Sequence, residues 1–293
     1  MATKCALILA AGFGTRMGEL GKTLPKPLWP VFEMAMLEIH ILTLKEMGIE
    51  KIFVNTHHQA DVIHKFMDEV IDEEDVICIH EDEILGSGGA IHNLYSRGVT
   101  KGRLFIQNAD IFFETGTNTY ELLSQSMESK STTSELLAVS VGPSTTYNRL
   151  LVEEGVLRDI VPPSSVAPTI TYSGVGLIDL DYLNYIAGQS GFFSTVANFQ
   201  KTKVGVTSPT QMYEYWDFGT KREYLNSHIK LLRSEKSSFR SRLERIGAIK
   251  KTKINGQLNS YDTQEKDCIW LAQKRKSTEP YVYQGSDGTR IVI

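Results

Sequence analysis

Two glycines, an arginine and a lysine mark the stretch of this chain with the clearest chemistry: Leu9-Ala10-Ala11-Gly12-Phe13-Gly14-Thr15-Arg16-Met17, followed by Leu24-Pro25-Lys26-Pro27-Leu28. Glycines directly after an apolar run let successive backbone N–H groups approach a polyphosphate, and Arg16 and Lys26 carry charge that amides cannot supply. A lone Gly-x-Gly serves equally well as a tight turn. Two rival phosphate motifs fail on spacing: the G-x-x-x-x-G-K-[ST] loop is absent, and the dinucleotide fingerprint needs a third glycine where Met17 stands and an acid where Asn55 stands.

Two carboxylates form the second candidate group. Asp110 closes the apolar run Arg103 to Gln107 through Asn108-Ala109, and Asp217 lies within Tyr215-Trp216-Asp217-Phe218-Gly219-Thr220. Mg2+ prefers hard oxygen donors and is usually held by one or two carboxylates with phosphate oxygens and water, so the pair suits that ion. Taken singly, each reads as a solvated or capping carboxylate. His57, His58 and His64 lack a carboxylate at ligand spacing and read as polar residues at a helix start. The run His80-Glu81-Asp82-Glu83 reads as solvated, with Glu81 placed to orient a ligand at a pocket edge. Tyr215, Trp216 and Phe218 read as core and pocket wall.

The elements that must hold these groups follow from periodicity. Lys4 to Ala11, Lys51 to Asn55, Val76 to His80 and Arg103 to Gln107 are strand-length apolar runs. Between them, Met34, Leu37, Ile41, Leu44 and Met47, stopped by Gly48, and then Val62, Ile63, Phe66 and Val70 recur at helical spacing. The alternation predicts an α/β fold with a mixed, mainly parallel, Rossmann-like sheet and flanking helices. In such sheets ligands gather beyond the carboxyl ends of the strands, where the glycine loop and Asp110 would both lie. From about Glu135, short β-prone runs add mixed strands. Lys221 to Leu232 reads as a helix with Thr220 as its N-cap and Glu223 completing a capping box. These boundaries predict a catalytic domain over 1–232 and a C-terminal extension over 233–293. Ile269, Trp270, Leu271, Tyr281, Val282, Tyr283, Ile291 and Val292 make that extension too apolar for a disordered tail, so it is expected to serve self-association or another contact.

Composition narrows the partners. A formal charge of −4 over 293 residues supplies no basic excess to neutralise nucleic-acid phosphates, so nucleic acid is not an expected partner. The run Cys5 to Ala11 is too short for a bilayer and lacks a signal-peptide cleavage site, so neither a membrane nor export is expected. Cys5, Cys78 and Cys268 lie far apart, which fits a reducing cytoplasm and neither a disulfide scaffold nor a zinc ribbon.

The glycine string with Pro-Lys-Pro-Leu after it resembles the sugar-1-phosphate nucleotidyltransferase family. Four further segments match in family order: Leu85-Gly86-Ser87-Gly88-Gly89-Ala90, Asn108-Ala109-Asp110, Tyr172-Ser173-Gly174-Val175-Gly176 and Trp216 to Thr220. The resemblance covers roughly residues 4 to 230 and implies the GT-A-like fold of that family. It implies transfer of a nucleoside monophosphate from a triphosphate to a sugar 1-phosphate, with release of pyrophosphate, to give a nucleotide sugar of the kind that feeds cell-envelope polysaccharides. Ala10, Ala11, Gly12, Gly14, Thr15 and Arg16 would wrap the nucleotide, and Gly86, Ser87 and Gly88 would leave room for base and ribose. Lys26 would sit at the α-phosphate and sugar phosphate, with Asn148 and Gly174 on the sugar. Asp110 and Asp217 would share Mg2+.

Two departures bear on substrate. Ala109 stands where the family usually has glycine, and Ile160-Val161-Pro162 replaces the Glu-Lys pair that grips the sugar in thymidylyltransferases for glucose 1-phosphate. Leu-Ala-Ala-Gly slightly favours UTP as donor, while the Gly-Ser-Gly-Gly-Ala segment resembles guanylyltransferases for mannose or heptose phosphates and puts GTP next. A metal-dependent glycosyltransferase is the alternative enzyme, although Asp110-Ile111-Phe112 lacks its usual second aspartate. A non-catalytic nucleotide-sugar sensor is the alternative outside catalysis.

Overall fold

The computed structural model describes residues 3–15, 24–71, 73–143, 146–209, 212–234 and 236–249, together with the backbone of 283–284 and 290–291. Strand β1 (Cys5–Leu9) leads into the glycine loop. A 3-10 turn at Lys26–Leu28 and the short pair β2 (Pro30–Val31) and β3 (Met34–Ala35) precede helix α1 (Met36–Glu46). Of the face predicted from spacing, Leu37, Ile41 and Leu44 are buried on α1, whereas Met34 lies on β3 and Met47 at the C-cap, both half-buried, and the chain turns away through Gly48 at φ 82°. Strand β4 (Lys51–Thr56), helix α2 (Ala60–Phe66), strand β5 (Val76–His80), helix α3 (Gly86–Ser96) and strand β6 (Arg103–Asn108) continue the alternation.

After β6 come β7 (Ile111–Thr115), α4 (Thr119–Lys130), β8 (Ser134–Val141), β9 (Arg149–Glu153), β10 (Val156–Val161) and β11 (Thr169–Asp179). The short helix α5 (Phe192–Thr195), β12 (Val204–Thr207), β13 (Tyr213–Asp217), α6 (Lys221–Arg233) and α7 (Ser238–Arg245) follow. The last described elements are β14 (Tyr283–Gln284) and β15 (Arg290–Ile291), an antiparallel pair.

The central sheet has nine strands in the order β5-β4-β1-β6-β11-β8-β12-β10-β9. Strands β5, β4, β1 and β6 run parallel, so their carboxyl ends share one edge, and Leu9 lies level with both Asn55 and Asn108. Antiparallel β11 then joins β6 to β8. Strand β7 was not expected from the sequence. It leaves the main sheet and pairs with β13, which sets Asp217 opposite Ile111, one residue beyond Asp110.

Apolar side chains fill three clusters. Those centred on Ile8, Val54 and Phe105 and on Leu7, Phe53 and Ile106 cover the two faces of the parallel strands, as the alternation of side chains along a strand requires. A third gathers Trp29, Met36, Phe112, Trp216, Phe218 and Tyr224 with Phe239, Leu243, Ala248 and Ile249. The expected boundary at 232 therefore falls before side chains that pack into the same core. Thr220 caps α6 as predicted, its hydroxyl accepting Glu223 N–H at 3.1 Å. The apolar residues expected to make the tail interactive lie outside the described residues, except for the backbone of Tyr283 and Ile291.

Candidate active site

A cleft of about 340 Å³ opens at the carboxyl edge of β1 and β6. Leu9, Ala10 and Gly12 to Thr15 form one side, Lys26 and Pro27 another, and Asn108 to Asp110 with Gly219 the third. Ala11 is buried behind the loop, and Arg16 lies outside the described residues. The sequence thus brings together segments far apart in the chain because β1, β6 and the β7–β13 pair end at one place.

Lys26 is held by the short turn that its flanking prolines favour, and its ammonium is largely buried. It donates to Asp110 Oδ2 and, at 2.9 Å, to the Gly219 carbonyl. Asp217 Oδ1 accepts Gly219 N–H at 2.5 Å, while Asp217 Oδ2 accepts the Tyr147 hydroxyl. Phe218 N–H donates to the Asp110 carbonyl at 2.9 Å, locking the two acidic segments together. A Cβ on Gly219 would stand 2.6 Å from Asp217 Oδ1 and 3.4 Å from Asp110 Oδ2, so only a residue without one lets the two carboxylates converge.

Burial pushes the Tyr147 phenol well above its ordinary range, and the bond to Asp217 adds to the shift. Tyr147 therefore stays protonated and donates. Asn148 beside it is exposed at the start of β9, and Gly174 on β11 abuts the Asn108 side chain.

The donor set around Gly219 fits a small hard cation. It offers two carboxylates, and among the described residues no group of three or more His, Cys, Asp or Glu side chains could hold a metal. Mg2+ keeps several waters and takes its other oxygens from phosphates, so two protein carboxylates suffice.

Gly86 to Gly89 form the first turn of α3. A Cβ on Gly88 would lie 2.5 Å from the Gly191 carbonyl oxygen, so glycine is needed for the close crossing of segment 188–191. The Ser190 carbonyl in turn accepts Gly88 and Gly89 N–H at 3.0 and 3.2 Å, satisfying donors that a helix start leaves open.

Glu81, expected to be solvated, is 2% exposed. Its carboxylate accepts Asn55 Nδ2 at 2.8 Å and Leu85 N–H at 3.1 Å, and Asn55 Oδ1 accepts Ala10 N–H at 2.7 Å. Asn55, where a dinucleotide-binding chain would place an acid, thus ties the glycine loop to the start of α3. Only the position of both residues at strand ends on the ligand edge hinted at this role.

An α/β sheet thus brings a glycine loop, a buried lysine and two carboxylates together at its carboxyl edge. The model of the nucleotidyl transferase family matches residues 5–153, and the chain belongs to that family. It is 23% identical over 232 residues to a putative mannose-1-phosphate guanyltransferase of Sulfolobus acidocaldarius, a match covering 78% of this chain and 63% of that protein. Over 110 residues it is 34% identical to the D-glycero-alpha-D-manno-heptose 1-phosphate guanylyltransferase of Campylobacter jejuni, covering 37% of this chain and 48% of that one. The chain therefore spans about half to two thirds of the length of these relatives.

Among solved structures, HddC from Yersinia pseudotuberculosis complexed with GMP-PN superposes with a TM-score of 0.65 at 20% identity, over 78% of this chain and 99% of that one. UDP-glucose pyrophosphorylase complexed with UDP-glucose gives 0.64 at 14% identity, over 80% and 100%. Both share the fold.

Proposed function

We propose that the protein transfers a nucleoside monophosphate from a nucleoside triphosphate to a sugar 1-phosphate, releasing pyrophosphate. The observation that carries this reading is the meeting of Lys26, Asp110 and Asp217 around Gly219 at the mouth of the glycine-loop cleft. That arrangement suits transfer of a nucleotidyl group between phosphates. A sugar phosphate oxygen is already anionic near neutral pH, so attack on the α-phosphorus needs no general base.

In this proposal the backbone of Gly12 to Thr15 cradles the triphosphate, joined by Arg16. An added Cβ on Gly12 would meet nothing within 4 Å, so its absence leaves room for a ligand rather than for the protein itself. Lys26 stabilises charge on the α-phosphate while its bond to the Gly219 carbonyl fixes its direction. Asp110 and Asp217 hold Mg2+, which when bound neutralises developing phosphate charge. Tyr147 orients Asp217, Asn148 and Gly174 face the sugar, and Gly86, Ser87 and Gly88 enter as a helix end buttressed by Glu81. Ile111 and Phe112 are buried in the β7 pairing, so no second aspartate of the glycosyltransferase kind stands beside Asp110.

Donor preference moves from UTP to GTP, with UTP second, because the relatives above carry guanylyl names. Hexose or heptose 1-phosphates of the manno series are the first acceptors to try. Free Cys5 and Cys78 and the use of a nucleoside triphosphate suit the cytoplasm. A matrix of four triphosphates against mannose, glucose, N-acetylglucosamine and manno-heptose 1-phosphates, read by pyrophosphate release, tests the proposal. Release in the GTP row alone supports the donor assignment, whereas silence throughout the matrix overturns the reading.

A further inference from the structure

Behind β13, on the side opposite Asp217, lies a second concavity of about 400 Å³. Glu214 and Trp216 form its floor, because side chains alternate along the strand and these two point away from Asp217. Lys230 and Arg233 from the last turn of α6 and Lys236 from the α6–α7 connection line its walls. All three cations are exposed, and among the described residues no carboxylate pairs with any of them.

Among the described residues that line the pocket, the acid, Glu214, is engaged elsewhere. Glu214 accepts Ser237 Oγ and Ser238 N–H, each at 2.6 Å, Ser238 Oγ and Trp216 Nε1 at 3.0 Å, and Phe239 N–H at 3.3 Å. Burial opposes its ionisation, yet these donors outweigh burial and hold the carboxyl below its usual range. Its lone pairs are thus taken up by the N-terminus of α7 and by the Trp216 indole. The α6 dipole accounts for cations in its last turn, but Lys236 lies beyond the helix and faces the same hollow.

We infer that this hollow is an anion site, distinct from the cleft, that takes a phosphate or diphosphate group, free or esterified. Three cations around a concave surface, none paired with a carboxylate among the described residues, suit a ligand with at least two negative charges. Lys230 Nζ rests 4.3 Å from the centre of the Trp216 ring, so an anion that draws the ammonium away changes the surroundings of that indole. Because Trp216 directly precedes Asp217, occupancy is also positioned to reach the cleft along β13. The site stands whether or not the cleft performs nucleotidyl transfer, since binding is read without turnover.

The test is a tryptophan-fluorescence titration of the full chain with inorganic pyrophosphate, in EDTA at constant ionic strength. It uses wild type, Lys26→Ala, Lys236→Ala and the combined Lys230→Ala, Arg233→Ala, Lys236→Ala variant, each confirmed folded by circular dichroism. A parallel arm replaces pyrophosphate with glucose 6-phosphate to separate an esterified ligand from a free one. Saturable responses in wild type and Lys26→Ala are expected, with several-fold weaker binding in Lys236→Ala and at least tenfold weaker binding in the triple variant. Basal turnover without added anion should stay within twofold of wild type in the triple variant. Equal titrations in wild type and triple variant, a linear response that never saturates, or loss of the response in Lys26→Ala alone would each overturn the assignment.

Discussion

The Lys26 ammonium bridges Asp110 Oδ2 and the Gly219 carbonyl, and the N–H of that same glycine binds Asp217. One cation thus orders both acidic segments before any substrate arrives. Lys26→Ala removes this charge and leaves Asp110 without it, so kcat should fall by about 10²-fold or more, the scale seen when one transition-state donor is removed. The KM for the triphosphate should change less than kcat. Steady-state kinetics check this, and an unchanged kcat would reduce Lys26 to a prop for the Pro25–Pro27 turn.

Asp110→Asn and Asp217→Asn keep the shape of each side chain and remove its charge. Losing a metal-binding carboxylate costs several kcal/mol of charge stabilisation, so turnover should drop by roughly 10³-fold or more in each. A Mg2+ titration of both variants measures it. Recovery of wild-type turnover at saturating Mg2+ in both would remove the metal from these residues.

Asn55→Ala breaks the link from Ala10 to Glu81 and leaves the Ala10 N–H and the Glu81 carboxylate short of a partner. Orphaning buried polar groups costs about 1 to 3 kcal/mol each, so the melting temperature should fall by several degrees. Because the glycine loop loses its anchor, KM for the triphosphate should rise more than KM for the sugar phosphate. A loss of stability with both KM values unchanged would make the link purely structural.

Acid should destabilise the protein through buried histidines. Burial lowers the His228 pKa to about 4 against its hydrogen bonds to backbone carbonyls, and burial likewise lowers His40 to about 4 against its bond to the Ala109 carbonyl and the charge of Asp110. An unfolded histidine titrates near 6.5, so between roughly pH 6.5 and 4 the unfolded chain binds more protons. The stability tied to each neutral imidazole is full above pH 6.5 and is lost progressively as pH falls toward 4, by up to about 3 kcal/mol per histidine. Urea melts from pH 7.5 to 4 should show this slope, and His228→Gln should flatten it. An identical slope in that variant would place the acid sensitivity elsewhere.

The packing of α7 yields a truncation prediction. Phe239 and Leu243 are fully buried against Phe112 and Trp216, and Arg242 pairs with Glu46 and with Glu114, which is 6% exposed. We propose that the folded unit runs to 249 rather than 232, with the remainder serving self-association. Ending the chain after 232 strips Phe239, Leu243 and Ile249 from the core, each contributing about 1.5 to 3 kcal/mol, and should leave the protein unstable or insoluble. A chain ending after 249 should fold and, in sedimentation, form a smaller species than the full protein. Equal stability of the two truncations would restore the boundary at 232.

Strong local signals were readable without coordinates. The glycine loop, the strands expected to end at Gln107 and Asn55, which each run one residue further, the middle of the α1 stripe and the Thr220 cap each follow from a few neighbouring residues. What the sequence hid depends on distant partners. Glu81 sits in an acidic run that looks solvated, and its burial comes from Asn55, which is 26 residues away. Nothing local marks Gly86 to Gly89 as the start of a helix, and the segment 188–191 that requires glycine there is distant in the chain. Likewise, α7 reads as a polar stretch of arginine and serine, and only Phe239 and Leu243 on one face reveal its attachment.

The most direct test of nucleotidyl transfer runs the reaction backwards. Labelled pyrophosphate is supplied with Mg2+ and a nucleotide sugar, GDP-mannose first, and label is sought in the nucleoside triphosphate. Direct transfer between phosphates predicts labelled GTP, formed with one sugar 1-phosphate per triphosphate and only when the nucleotide sugar is present. Label entering GTP from GTP and pyrophosphate alone would reveal a nucleotidylated enzyme, and no labelled triphosphate from any nucleotide sugar would contradict the account outright.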